Sequence, residues 1–224
     1  MATTEPITIE IEGGAPVSGL WQAGVRPRAV LVLAHGAGAG MTHRSMSAIA
    51  DGLARRGIAT LRYQFPYMEH GSKRPDSPPV AHTAVRGAVR ATAQRAPGLP
   101  MFAGGRSFGG RMTSQAQALA PLPGVRGLVF FAFPLHPAGK PSIERAAHLA
   151  GLALPMLFLQ GTRDALAEMA LLRPTVAALG PAATLSLVDD ADHSFHVPAK
   201  TGRKDTDVLA GILDTATAWM ADRR

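Results

Sequence analysis

The run Met101-Phe102-Ala103-Gly104-Gly105-Arg106-Ser107-Phe108-Gly109-Gly110-Arg111 passes from an apolar segment, through Gly-x-Ser-x-Gly, into a helical pattern. A serine flanked in this way between a strand and a helix reads as a nucleophile elbow. The turn needs small residues two positions to either side of Ser107, because a β-carbon there would meet neighbouring backbone. Its effect is to expose the Ser107 Oγ at a helix N-terminus, where free N–H groups and the helix dipole favour developing negative charge.

A hydroxyl is a weak nucleophile until a base takes its proton, so a serine in this position requires a histidine, and the histidine requires an acid to orient it. In chain order these partners should follow two late strands. The run Pro155 to Gln160 leads into Gly161-Thr162-Arg163-Asp164, and Thr184 to Val188 leads into Asp189-Asp190-Ala191-Asp192-His193-Ser194-Phe195. Asp164 and His193 are therefore the expected acid and base. Asp189, Asp190 and Asp192 are alternative acids and His196 an alternative base, although each departs from the spacing that carries these groups over the serine. Asp164 also stands where it would cap a helix beginning at Ala165.

An oxyanion hole needs two N–H donors. One is expected from Phe108, directly after the nucleophile, and the other from the glycine-rich loop Ala34-His35-Gly36-Ala37-Gly38-Ala39-Gly40, with Ala37 the first choice and Gly36 the second. His35 is expected to shape this loop rather than to do chemistry. The loop is not a dinucleotide fingerprint: the third glycine would fall on Met41, and the next strand ends in Arg62-Tyr63 with no acidic residue. The Gly-x-x-x-x-Gly-Lys-Ser/Thr phosphate loop is missing as well. No nicotinamide or nucleotide is therefore expected. The acyl chemistry implied by the serine needs no metal or organic cofactor.

Around these motifs, short aliphatic runs alternate with longer helical patterns, which predicts an α/β fold with a mostly parallel sheet and helices on both faces. The strands are expected at Thr8 to Glu12, Ala29 to Ala34, Ile58 to Tyr63, Met101 to Gly104, Val125 to Ala132, Pro155 to Gln160 and Thr184 to Val188. The helices are expected at His43 to Arg56, Ala81 to Arg95, Phe108 to Ala120, Ser142 to Leu149, Ala165 to Ala178 and Asp205 to Ala221. Strands such as Val30-Leu31-Val32-Leu33 and Met156-Leu157-Phe158-Leu159 are apolar at consecutive positions, as interior strands covered on both faces should be. Two Pro- and Gly-rich connections, Gln64 to Val80 and Pro134 to Pro141, are expected to frame the site.

The 224 residues fit one domain, 1–224, without a large cap. Hydrophobic residues at 46% and charged residues at 17% suit a soluble globular enzyme. Met1 to Gly14 lacks the basic-then-apolar pattern of a secretion signal, and no apolar run approaches the roughly 20 residues of a membrane helix, so the expected location is the cytoplasm with no membrane partner. No cysteine is present, which removes disulfide and thiolate chemistry. The +7 formal charge is scattered rather than gathered into a stripe with aromatics, so nucleic acid is not an expected partner. The expected partner is a small acyl substrate.

Five segments together resemble one branch of the α/β-hydrolase family: Leu33-Ala34-His35-Gly36-Ala37-Gly38, Arg62-Tyr63-Gln64-Phe65-Pro66-Tyr67, Gly105 to Arg111, Phe133-Pro134-Leu135-His136-Pro137-Ala138-Gly139-Lys140-Pro141 and Asp192-His193-Ser194-Phe195. That branch holds small bacterial hydrolases described as dienelactone-hydrolase-like, the hydrolase-like domain of a regulatory subunit of the NSL histone acetyltransferase complex, and a related testis-expressed protein. The resemblance implies an α/β-hydrolase fold from about Ala29 to the C-terminus, with Ser107, Asp164 and His193 at the triad positions. The expected activity is serine hydrolysis of a small ester, thioester or lactone. A non-catalytic interaction module on a retained fold is the alternative, and all three triad residue types standing in order argue for the enzyme. Arg106, Arg111, Lys140 and Arg163 flank these motifs, which raises the expectation of a cationic rim selecting acidic acyl groups, set against the simpler reading that they are solvated surface charges.

Overall fold

The computed structural model describes residues 3–223. Eight strands, β1 (Thr3–Ile9), β2 (Val17–Ala23), β3 (Ala29–Ala34), β4 (Ile58–Tyr63), β5 (Met101–Arg106), β6 (Val125–Phe131), β7 (Met156–Gly161) and β8 (Ala183–Val188), form one sheet in the order β1-β2-β4-β3-β5-β6-β7-β8. The β1–β2 and β2–β4 pairings are antiparallel and every later pairing is parallel. The helices are α1 (Arg44–Arg55), α2 (Pro66–Glu69), α3 (Pro78–Arg95), α4 (Phe108–Leu119), α5 (Met169–Ala178) and α6 (Asp205–Ala221), with a 3-10 segment at Glu144–Gly151.

Continuous apolar strands sort their side chains by parity, since successive residues face opposite sides of a sheet. On β3, Val30, Val32 and Ala34 join one core with residues of α3, α4 and α5, while Ala29, Leu31 and Leu33 join the other with residues of α1 and α6. The central strands β5, β6 and β7 divide in the same way, Phe130 and Phe158 on the first side and Phe131 and Leu159 on the second. The parallel strands therefore end together along one edge, and the loops leaving β3, β5, β7 and β8 gather there.

The expected pattern needs correction, including at Gln64 to Val80, which holds the short helix α2 and the first residues of α3. The strand expected at Thr8 to Glu12 runs instead from Thr3 to Ile9, because Glu10 to Pro16 form the turn that pairs Ile9 with Val17. That turn introduces β2, absent from the sequence reading; its Val-Ser-Gly-Leu-Trp-Gln-Ala mixes polar and small residues and lacks a continuous apolar signature. The expected Ser142 to Leu149 helix is 3-10 over Glu144–Gly151. The helix expected from Ala165 begins only at Met169, since Asp164 closes a separate turn in which Ala167 N–H donates to the Asp164 carbonyl at 3.1 Å. No helix among the described residues is long and apolar enough to cross a membrane.

Candidate active site

Ser107 sits between β5 and α4 with φ 51° and ψ −116°, a left-handed conformation that costs a non-glycine residue about 1–3 kcal/mol. Its N–H donates to the Phe131 carbonyl at 3.0 Å, and its own carbonyl accepts from Arg111 N–H at 3.1 Å, so the strained residue is held at both ends. The flanking glycines are required by contact. A β-carbon on Gly105 would lie 2.4 Å from the Ala34 carbonyl oxygen, and one on Gly109 would lie 2.6 Å from that of His35. The loop after β3 therefore rests directly on the elbow.

His193 and Asp164 reach the serine from the ends of β8 and β7. His193 Nε2 lies 2.8 Å from Ser107 Oγ, and His193 Nδ1 lies 2.7 Å from Asp164 Oδ2. With Nδ1–H donating to the carboxylate, Nε2 is left to accept the serine proton. The Asp164 side chain is fully buried, while that of His193 is 23% exposed. Gln160 Nε2 donates to Asp164 Oδ2 at 2.5 Å and Leu166 N–H donates to Oδ1 at 2.8 Å. A buried carboxylate is expensive unless its lone pairs are satisfied, and these donors together with the imidazole do that. The sequence reading missed Gln160, although a lone polar side chain in the run Met-Leu-Phe-Leu-Gln-Gly was a visible signal.

The alternative residues take other places. Asp192 folds the histidine loop: its Oδ1 accepts from Ser194 N–H at 2.7 Å and His196 N–H at 3.0 Å. His196 pairs at the surface with Asp205 at 2.8 Å, and this carboxylate holds the imidazole above the usual histidine range. Asp189 and Asp190 are exposed, and Asp190 N–H donates to Thr162 Oγ1 at 2.9 Å. The acid and histidine loops are joined where Arg163 N–H donates to the Ala191 carbonyl at 2.9 Å. A β-carbon on Gly161 would lie 2.3 Å from that same oxygen, so the two loops touch backbone to backbone.

In the loop after β3, His35 is completely buried. Its Nδ1 donates to the Gly36 carbonyl at 2.8 Å and its Nε2 accepts from Phe65 N–H at 3.1 Å. Burial pushes its pKa down to about 4, against a smaller raising effect of the Gly36 bond, so the ring is neutral and shapes the loop. Gly38 N–H donates to Tyr67 Oη at 3.1 Å and Ala39 N–H to the Gly36 carbonyl at 3.2 Å. Among the described residues, the N–H groups of Gly36 and Ala37 donate to no protein acceptor. Gly36 itself approaches the serine, with its β-carbon position 3.8 Å from Ser107 Cβ. Phe108 N–H, the first of α4, has no intrahelical acceptor.

Both Pro- and Gly-rich connections abut this edge. Gln64 accepts from Met41 N–H at 2.8 Å, and Arg62 donates to the Met41 carbonyl at 3.2 Å, so β4 and its exit brace the loop after β3. Within Pro134 to Pro141, the His136 N–H donates to the Leu166 carbonyl at 3.1 Å beside the Asp164 turn. The four flanking cations differ in their surroundings. Arg106 is stapled, its two terminal nitrogens donating to Ser45 Oγ at 3.1 Å and Ser194 Oγ at 3.0 Å, which ties α1 to the histidine loop. Lys140 and Arg163 are exposed, and Arg111 lies half-buried on α4. Among the described residues no cluster of three or more His, Asp or Glu side chains is arranged to hold a metal.

A family model described as an alpha/beta hydrolase domain matches residues 27–221. A dienelactone hydrolase from Anabaena variabilis superposes with a TM-score of 0.80 at 18% identity, over 99% of this chain and 98% of that one. A serine hydrolase without lid from Xanthomonas campestris gives 0.75 at 19% identity, over 96% and 94%. An esterase from an Arctic intertidal metagenomic library gives 0.68 at 15% identity, over 97% and 94%. At such identities these structures show a shared fold.

Proposed function

The chain belongs to the α/β-hydrolase family, and from that premise we propose that it is a serine hydrolase that cleaves a small ester, thioester or lactone through an acyl-enzyme. The observation that carries this reading is the continuous chain Ser107 Oγ to His193 Nε2 at 2.8 Å and His193 Nδ1 to Asp164 Oδ2 at 2.7 Å, with Ser107 in strained backbone at the start of α4. His193 takes the Ser107 proton as Oγ attacks the carbonyl. Asp164 holds the imidazole in the working tautomer and stabilises the cation that forms. The oxyanion is received by the N–H groups of Phe108 and of Ala37, with Gly36 beside them. His193 then protonates the leaving alkoxide or thiolate, and water repeats the sequence to release the acid.

A fluorophosphonate probe tests this directly, because it reacts with a serine whose proton is taken by a neighbouring base. Wild-type protein is expected to label at Ser107 and to turn over short-chain esters. A wild-type chain that neither labels nor hydrolyses any member of an ester and thioester panel overturns the proposal.

A further inference from the structure

The loop after β3 bends through a turn that its backbone identifies. Ala39 N–H donates to the Gly36 carbonyl at 3.2 Å, Ala37 has a negative φ and Gly38 a φ of 70°, which together make residues 36–39 a type II turn. A type I turn closes with the same bond. It differs by a flip of the central peptide, here Ala37–Gly38, taken up by ψ of Ala37 and φ of Gly38. Glycine accepts either sign of φ, so residue 38 leaves both turns open to the backbone.

One side chain holds the peptide that could flip. Gly38 N–H donates to Tyr67 Oη at 3.1 Å, and among the described residues this hydroxyl is the side-chain partner of the Ala37–Gly38 peptide. Tyr67 is itself fixed. It is 4% exposed, its ring stacks on Phe65 at 6.4 Å and meets Phe108 edge-on at 6.4 Å, and its N–H donates to Asp76 Oδ2 at 3.0 Å. The two ends of the loop are secured by other groups, His35 Nε2 by Phe65 N–H at 3.1 Å and Met41 N–H by Gln64 at 2.8 Å. The turn between them borders the nucleophile. A β-carbon on Gly36 would lie 3.8 Å from Ser107 Cβ and 3.6 Å from the Arg106 carbonyl oxygen, and Phe108, whose ring Tyr67 meets, directly follows Ser107.

We infer that Tyr67 is a positioning residue for the oxyanion hole: by accepting the Gly38 N–H, its hydroxyl holds the turn in the type II form and so sets the direction of the Ala37 N–H. This rests on the serine-hydrolase reading above and adds to it a residue of α2, an element that carries no member of the triad. The hydroxyl acts through the Ala37 backbone and not on the substrate. A preorganised donor is worth most when it needs no reorganisation as the oxyanion forms, and a turn free to flip loses that advantage.

Two substitutions reach the same peptide by different routes. Tyr67→Phe removes the acceptor and keeps the ring, whereas Gly38→Ala keeps the acceptor and disfavours the positive φ, with no atom within 4 Å for the new β-carbon to strike. Each should lower kcat for a short-chain ester about tenfold, the worth of one hydrogen bond, with KM changed by less than about twofold. Tyr67→Phe/Gly38→Ala should be no more than about twofold worse than either single variant, because both release one turn. A hydroxyl that acted on the substrate directly would make the two losses multiply. Amide hydrogen exchange in the full chain gives a second readout: Gly38 should exchange about tenfold faster in Tyr67→Phe, while Met41, held by Gln64, should keep its wild-type rate. If wild-type protein hydrolyses no ester, the nucleophile reading fails, and the Gly38 exchange rate still decides whether Tyr67 holds the turn. Multiplying losses in the double variant, or unchanged Gly38 exchange in Tyr67→Phe, would overturn the inference.

Discussion

Two histidines stand in loops that leave the same sheet edge, and their surroundings are opposite. His35, after β3, is wholly buried and both its ring nitrogens are spent on backbone groups, Gly36 and Phe65. His193, after β8, is partly exposed, with a buried carboxylate behind it and a serine hydroxyl in front. Burial alone drives His35 toward the neutral form, with a pKa of about 4. His193 instead bonds a carboxylate through Nδ1 and a hydroxyl through Nε2, the arrangement that the proposed proton transfer requires. The same side chain is a strut in one loop and, in the proposed reaction, a base in the other, and the difference is the charge of the partner and the presence of a proton donor.

The strongest way to break this comparison is at the serine. Ser107→Ala should abolish fluorophosphonate labelling and lower ester turnover by roughly 10⁵-fold to 10⁶-fold, with little change in melting temperature. His193→Gln should match it, whereas His35→Gln should still label. Persistent labelling in Ser107→Ala would mean that another nucleophile is at work.

Asp164→Asn should cost roughly 10³-fold to 10⁴-fold in kcat, because an amide cannot hold the imidazole with Nε2 free. Asp192→Asn, which alters only the loop's own hydrogen bonds, should lose far less; a larger loss at Asp192 would reassign the acid. His35 sharpens the comparison through pH. Its pKa is about 4 in the folded protein against an ordinary value of 6.5, so the unfolded chain takes up its proton first. Stability should be full above the unfolded value and fall as pH drops through that window, by up to about 3 kcal/mol from this group. His35→Gln should flatten the slope of stability against pH by about one proton, measured by denaturant unfolding; an unchanged slope would show that the ring is not held neutral. The smallest effect is expected at Arg106, which fastens the histidine loop to α1. Arg106→Met should lower kcat about tenfold by loosening His193, with KM nearly unmoved.

Much of the candidate site was legible because it follows strand ends. Gly105 to Gly109, Asp164 and His193 each lie within about five residues of the end of an apolar run, and a parallel sheet brings such positions to one edge whatever the details of packing. Strand β3 was legible for the same reason, being apolar on both faces, and β4 through the apolar face of Ala59, Leu61 and Tyr63. The β1–β2 ribbon was not: Pro6 and Gly19 interrupt it, and its pairing depends on a turn at Glu10 to Pro16. Local sequence carries the alternation of a half-covered strand only weakly.

The order and type of the chemical groups were thus written in the sequence alone, since a nucleophile elbow is a local device of glycines around a serine. Tertiary structure alone decided what each group is bonded to. It turned Arg106 into a staple and left Arg111 unpaired, although the two differ by five positions and look equivalent as sequence. It likewise set Gln160 behind Asp164 and took Asp192 for the loop. Hydrogen bonds and burial depend on neighbours distant along the chain, and those are fixed only when the sheet has closed and its loops have met.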